Sequence, residues 1–306
     1  MLANFFGKSN PANFIIIFLI FIAFFCAISI SSNLQGTINF SFIFHQLSIL
    51  ILFSFLFFCY NFILSKNKLT LYNSYGFLLF VLFFGFYPDT MTDRNGVILN
   101  LIVLVFLRKV FSLSSLKSPY KKMVDSGFWL GILFLMEPSN LIFAILIFIS
   151  IGLFQKLNIR TFLIPIIGFL APVFCYFSYC FWFENIEEFT KLFLWESNYK
   201  IQITKPISFS SIFLGSLIFI SIFLKTPKVL LIRGMYRKYW ILIIFNMILA
   251  ISIFLIQKDY SGFERILLFF PASIIITNWM ESIKNIFLKN ILICLLIIIP
   301  VILLIV

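Results

Sequence analysis

The strongest limit on what this chain can become is a succession of blocks of Ile, Leu and Phe that run on without an alternating polar face. A helix rises about 1.5 Å per residue, so about 20 such residues cross roughly 30 Å of hydrocarbon. In that solvent every backbone N–H and C=O must find a partner within its own segment or within a closed barrel. A barrel strand needs apolar and polar residues in alternation, and these blocks have none. The expectation is an all-α integral membrane protein of a single polytopic domain spanning residues 1–306, with no soluble domain.

Eleven blocks have this character: 14–31, 42–64, 74–87, 96–113, 127–136, 139–154, 161–183, 207–224, 239–256, 265–280 and 290–306. Charged residues make up only 11% of the chain, and the basic ones that give a net charge of +12 sit in the short connections between blocks. That placement is the signature of membrane orientation rather than of a nucleic-acid surface. With the N-terminus in the cytoplasm, the inner loops hold 17 of the 23 Lys and Arg, including Lys66, Lys68, the run from Arg108 to Lys122, and Lys225 to Lys238. The count depends on Glu137-Pro138-Ser139-Asn140. As a turn it separates two spans; as a kink in one long helix it reduces the number to ten, inverts everything after it and nearly abolishes the basic bias. The turn is favoured. Nine of the 11 acids then fall outside: Asp89, Asp93, Glu137, Glu184, Glu187, Glu188, Glu196, Asp259 and Glu264.

Two spans, 74–87 and 127–136, are too short to cross the bilayer, and both end at outer-side acids. A helix that stops below the surface leaves irregular backbone where only protein or a wet cavity can satisfy it. The pair predicts an outward-facing recess. Asp89 and Asp93 are the candidate catalytic residues, as a base or as ligands of a divalent cation. Arg94 and Arg265, two of only six outer-side cations, and Glu137 are candidates for binding a phosphate-bearing substrate. The competing reading places all five in ordinary interfacial loops. Residues 184–206 alternate acidic and aromatic side chains and predict an interfacial helix.

Other signals are bland. His45 is the only histidine, which excludes a membrane oxygenase with several histidine ligands to iron. The five cysteines lie in apolar blocks without metal or redox spacing, no phosphate-binding loop occurs, and no metal site or cofactor motif is identified. The inner basic cluster serves either topology or anionic lipid headgroups.

Phe5-Phe6-Gly7-Lys8-Ser9-Asn10-Pro11, Asp125-Ser126-Gly127-Phe128 and Glu137-Pro138-Ser139 together resemble an uncharacterised family of polytopic inner-membrane proteins from flavobacteria and other Bacteroidota. That resemblance implies a bacterial inner membrane. Asp93-Arg94-Asn95-Gly96, Leu107-Arg108-Lys109-Val110-Phe111, the segment from Gly127 to Gly152 and Gly168-Phe169-Leu170-Ala171-Pro172 are similar to the middle of C-type membrane glycosyltransferases. Those enzymes act on polyprenyl-phosphate-linked sugars from a cavity on the outer side, and place a catalytic acid in their first outer loop. The matching loop here, about Ser32 to Ser41, has no acid. The resemblance implies a related scaffold handling a lipid-linked sugar or another envelope substrate, with membrane lipids as partners. A transporter or flippase, and a non-catalytic subunit bound to a protein partner in the envelope, are the alternatives.

Overall fold

Among the described residues, each of the eleven apolar blocks is mainly helical, as the need for internal backbone hydrogen bonding requires. The computed structural model describes residues 2–32, 39–115, 117–155, 157–193, 208–256 and 263–305, and among these there is no strand. The helices are α1 (Leu2–Phe6), α2 (Pro11–Ser32), α3 (Phe40–Lys66), α4 (Tyr75–Phe86), α5 (Asp89–Thr92), α6 (Arg94–Ser112) and α7 (Pro119–Met136). After a 3₁₀ segment, Pro138–Phe143, follow α8 (Ala144–Phe154), α9 (Ile159–Trp182), α10 (Ile186–Lys191), α11 (Phe209–Leu230), α12 (Met235–Ile256), α13 (Phe263–Ser282) and α14 (Ile286–Ile305). Eight of them, α2, α3, α6, α9, α11, α12, α13 and α14, are long and apolar enough to cross a membrane. The loop from Ser32 to Ser41 is largely outside the described residues, as are Trp195, Glu196 and Asp259.

The chain forms two compact units, the first from Met1–Ile98, Pro206–Arg233 and Ser261–Val306, the second from Leu99–Lys205 and Gly234–Tyr260. At the centre of the first lies α4. Its twelve residues make a helix of about 18 Å, and every one of them is buried. Packing rather than the hydrophobic effect holds such a helix among apolar neighbours. Phe84 meets Phe53 and Phe269 edge to face, each at 5.0 Å between ring centroids, and Tyr60 stacks on Phe80 at 4.0 Å. The Tyr60 hydroxyl donates to the Gly76 carbonyl at 3.0 Å and lies 2.8 Å from Ser273 Oγ. Gly85 is required by α14: a Cβ there would come within 2.9 Å of Pro300 Cβ.

The N-terminal end of α4 is tied by polar contacts. The Asn73 side chain accepts from the Tyr75 amide at 3.1 Å and donates to Glu281 Oε1 at 2.6 Å; the same oxygen accepts from the Leu71 amide at 2.9 Å. The Ser74 amide donates to the Phe6 carbonyl at 2.9 Å, and Tyr75 donates its hydroxyl proton to the Ala3 carbonyl. These bonds fold α1 against the start of α4.

In the second unit, α7 and α9 approach backbone to backbone. Gly127 and Gly131, four residues apart on one face of α7, meet Pro165, Phe169 and Pro172, while Gly168 of α9 meets Val124. Small residues at this spacing are the usual means by which membrane helices come close. The chain turns back at Glu137-Pro138, as expected: Leu130 of α7 and Ile147 of α8 line the same apolar cavity of about 150 Å³, whereas in a continuous helix they would stand about 25 Å apart. The span at 127–136 is a correction, because its helix begins at Pro119 and has 18 residues rather than ten. Lys121, Lys122 and Asp125 give that stretch the composition of a loop. Asp125 instead pairs with Lys109 at 2.7 Å, and Lys122 Nζ donates to the carbonyls of Ser112 and Ser115 at 2.9 and 3.1 Å, at and beyond the end of α6.

Candidate functional site

The C-terminal end of α4 carries the candidate site. Pro88 lacks an amide proton and disfavours helical backbone in the residue before it, so Tyr87 leaves the helix with φ −134° and ψ 77°. One helical turn, α5, follows. Thr90 and Thr92 donate their hydroxyls to the carbonyls of Tyr87 and Asp89 at 2.6 and 3.1 Å, which braces this turn. Asp93 is then extended, and α6 starts at Arg94.

Tyr87 is the organising residue. Its ring stacks on Phe269 at 5.9 Å, its hydroxyl lies 3.0 Å from Ser211 Oγ on α11, and the Arg265 guanidinium sits 5.2 Å from its centroid. A guanidinium over a tyrosine face gains both cation–π attraction and a fixed plane. Arg265 also stands 3.8 Å from the Asp89 carboxylate. That is longer than a direct hydrogen bond. Asp89 is 87% exposed and Arg265 30% exposed, so the acid is solvated while the cation is set into the protein. Glu264, its neighbour on α13, is fully buried.

The remaining candidates have other settings. Asp93 Oδ1 accepts from the Gly96 amide at 3.0 Å, the contact of an N-cap on α6. Gly96 is needed there, because a Cβ would stand 2.3 Å from Asp93 Oδ2 and 3.0 Å from Phe263 Cβ. This engagement gives Asp93 a structural task at the head of α6. Arg94 is exposed at the first position of α6. Glu137 belongs to the second unit, where its extended backbone ends α7 and its carbonyl accepts from the Asn140 amide at 3.0 Å. His45 is exposed on α3. Of the segment 184–206, the described part forms the six-residue α10 with no buried residue.

The structure therefore brings Asp89 and Arg265 together and adds Tyr87, Ser211 and Phe269, which sequence reasoning misses. Tyr87 follows α4, while Ser211 and Phe269 come from α11 and α13, and no local spacing announces them. Among the described residues, no three His, Cys, Asp or Glu side chains converge to hold a metal ion. The chemistry on offer is recognition of an anion by a planar, oriented cation, with hydroxyls from Tyr87 and Ser211 nearby. Compared with protein-family models, curated proteins and solved structures, the chain finds no match.

Proposed function

We propose that this is a multi-pass protein of a bacterial inner membrane, with eleven spans and a cytoplasmic N-terminus, that binds the phosphate of a lipid-linked envelope substrate at the outer end of α4. The single observation that carries this reading is the Arg265 guanidinium, laid on Tyr87 and separated by 3.8 Å from a solvated Asp89. An arginine so placed suits the paired acceptor geometry of a phosphate ester. The short α4 supports the outward recess, since a helix of about 18 Å that ends among buried side chains leaves its last turn below the membrane surface. The reversal at Glu137-Pro138 supports the eleven-span count, because it keeps the basic loops on one side.

The capping role of Asp93 favours binding over catalysis. Asp89 then tunes the guanidinium and acts neither as base nor as ligand of a divalent cation. A scaffold related to the C-type glycosyltransferases, retained without transfer chemistry, fits this reading.

The test is photocrosslinking of a diazirine-bearing polyprenyl phosphate in membrane vesicles. Labelling should map to the Tyr87–Arg94 stretch and the start of α13. It should fall roughly tenfold in Arg265→Gln, which removes one charge-assisted hydrogen-bonding partner. Undiminished labelling in that variant contradicts the proposal.

A further inference from the structure

The opposite end of α4 holds a second feature, in which Arg265 has no part. A cavity of about 960 Å³ lies between the N-terminal segment, residues 71–75 and the start of α14. Its walls include Lys8, Lys289, Glu281, Asn4, Asn10 and Tyr72. A volume near the upper end of the range for small-molecule sites is unusual for a surface crevice, and a lining so rich in amides and charge is unusual for a membrane helix bundle.

The charges do not cancel. Glu281 spends one carboxylate oxygen on the Leu71 amide and the Asn73 side chain, so it serves to hold the loop that forms the cavity wall. Asn13 and Asn73 are likewise consumed within the protein: Asn13 donates to the carbonyls of Phe5 and Lys8 at 2.8 and 2.7 Å, and Asn73 to Glu281. Lys8 and Lys289 form no ion pair among the described residues. Two lysines of the lining stand against one carboxylate, one oxygen of which is already engaged. The surplus is positive, it lines a concave volume, and it is flanked by Asn4, Asn10 and Tyr72, which offer donors and acceptors suited to hydroxyls.

We propose that this cavity binds a phosphate ester of a hydroxyl-bearing group, with Lys8 and Lys289 contacting the phosphate and Asn4, Asn10 and Tyr72 the hydroxyls. With the N-terminus in the cytoplasm, it lies on the cytoplasmic side. The same chemistry is presented by the headgroup of an anionic lipid of the inner leaflet and by a soluble sugar or polyol phosphate. The site is separate from Arg265 and stands or falls without it.

Two probes share the glycerol phosphate moiety and distinguish the sources. The purified full-length protein is titrated with glycerol 3-phosphate by calorimetry, and phosphatidylglycerol against phosphatidylcholine retained on the protein is counted by native mass spectrometry. One probe should bind saturably, with one molecule per chain. Lys8→Gln combined with Lys289→Gln should weaken it about a hundredfold, roughly tenfold for each ammonium removed from the phosphate. Lys228→Gln, on α11 outside the cavity, and Arg265→Gln should leave it unchanged. Preference for glycerol 3-phosphate identifies a soluble ligand, and preference for phosphatidylglycerol a lipid. Binding of neither probe, or equal weakening by Lys228→Gln and by the double variant, overturns the proposal.

Discussion

The contact between α7 and α9 makes a quantitative prediction, because its glycines leave no room for a single methyl group. A Cβ at Gly127 would stand 2.0 Å from the Pro165 carbonyl oxygen, 2.8 Å from its carbon and 3.0 Å from the Phe169 nitrogen. Ordinary contact begins near 3.4 Å, so in Gly127→Ala the two helices must part by about 1.4 Å along that line. These three neighbours are all backbone atoms, and none can rotate away. A gap of 0.5–1 Å already forfeits about a quarter to a half of a dispersion contact, and overpacking costs about 1–3 kcal/mol. Against this, alanine gains up to about 1 kcal/mol over glycine in a helix. The net expectation for Gly127→Ala is destabilisation by about 1 kcal/mol. Gly215 is the internal control: nothing lies within 4 Å of its Cβ position on α11, so Gly215→Ala should be neutral or stabilising by up to about 1 kcal/mol. Equilibrium unfolding in mixed micelles reads both. Equal stability of Gly127→Ala and the parent, or equal damage from Gly215→Ala, would refute the close backbone contact.

Other consequences follow from the two ends of α4. Glu281→Ala removes the acceptor of two hydrogen bonds that hold residues 71–73 and should cost about 2 kcal/mol in the same unfolding assay, with Glu281→Gln costing less. Tyr60→Phe, which leaves the Gly76 carbonyl and Ser273 hydroxyl without their buried partner, should cost about 1 kcal/mol. Asp89→Asn removes a solvated charge 3.8 Å from Arg265; polyprenyl phosphate binding should hold or tighten, whereas a drop comparable to Arg265→Gln would restore Asp89 to the role of direct ligand. For orientation, Asp89→Cys should react with a membrane-impermeant maleimide from outside intact cells, and Lys117→Cys only after permeabilisation.

Much of this arrangement is written locally. Pro88 ends α4 because proline ends helices, and the twelve buried residues of α4 read as an apolar block too short to cross. The reversal at Glu137-Pro138 is legible through the distribution of distant lysines and arginines, which act on topology chain-wide. The start of α7 is not legible, since Lys121, Lys122 and Asp125 look like a loop until Lys109 and the end of α6 are brought beside them. The site follows the same division. Asp89 and Arg265 stand out as charges at the ends of apolar blocks, but Tyr87 looks like one more aromatic at a helix end. Its stacking on Phe269, its hydroxyl beside Ser211 and its place beneath Arg265 join residues more than a hundred positions apart, and only packing creates them. The cap that engages Asp93 is within reach of sequence reasoning: an aspartate three residues before Gly96, at the head of an apolar helix, is an N-cap pattern.

Whether Arg265 holds a phosphate at the C-terminal end of α4 can be seen in an electron cryomicroscopy map of the protein in nanodiscs of its native lipids, loaded with a polyprenyl phosphate. Phosphate density should lie within about 3 Å of the Arg265 guanidinium, beside the Tyr87 ring, with Asp89 still turned to solvent. A map in which Arg265 closes directly onto Asp89, and the phosphate lies elsewhere, would contradict phosphate recognition at this site.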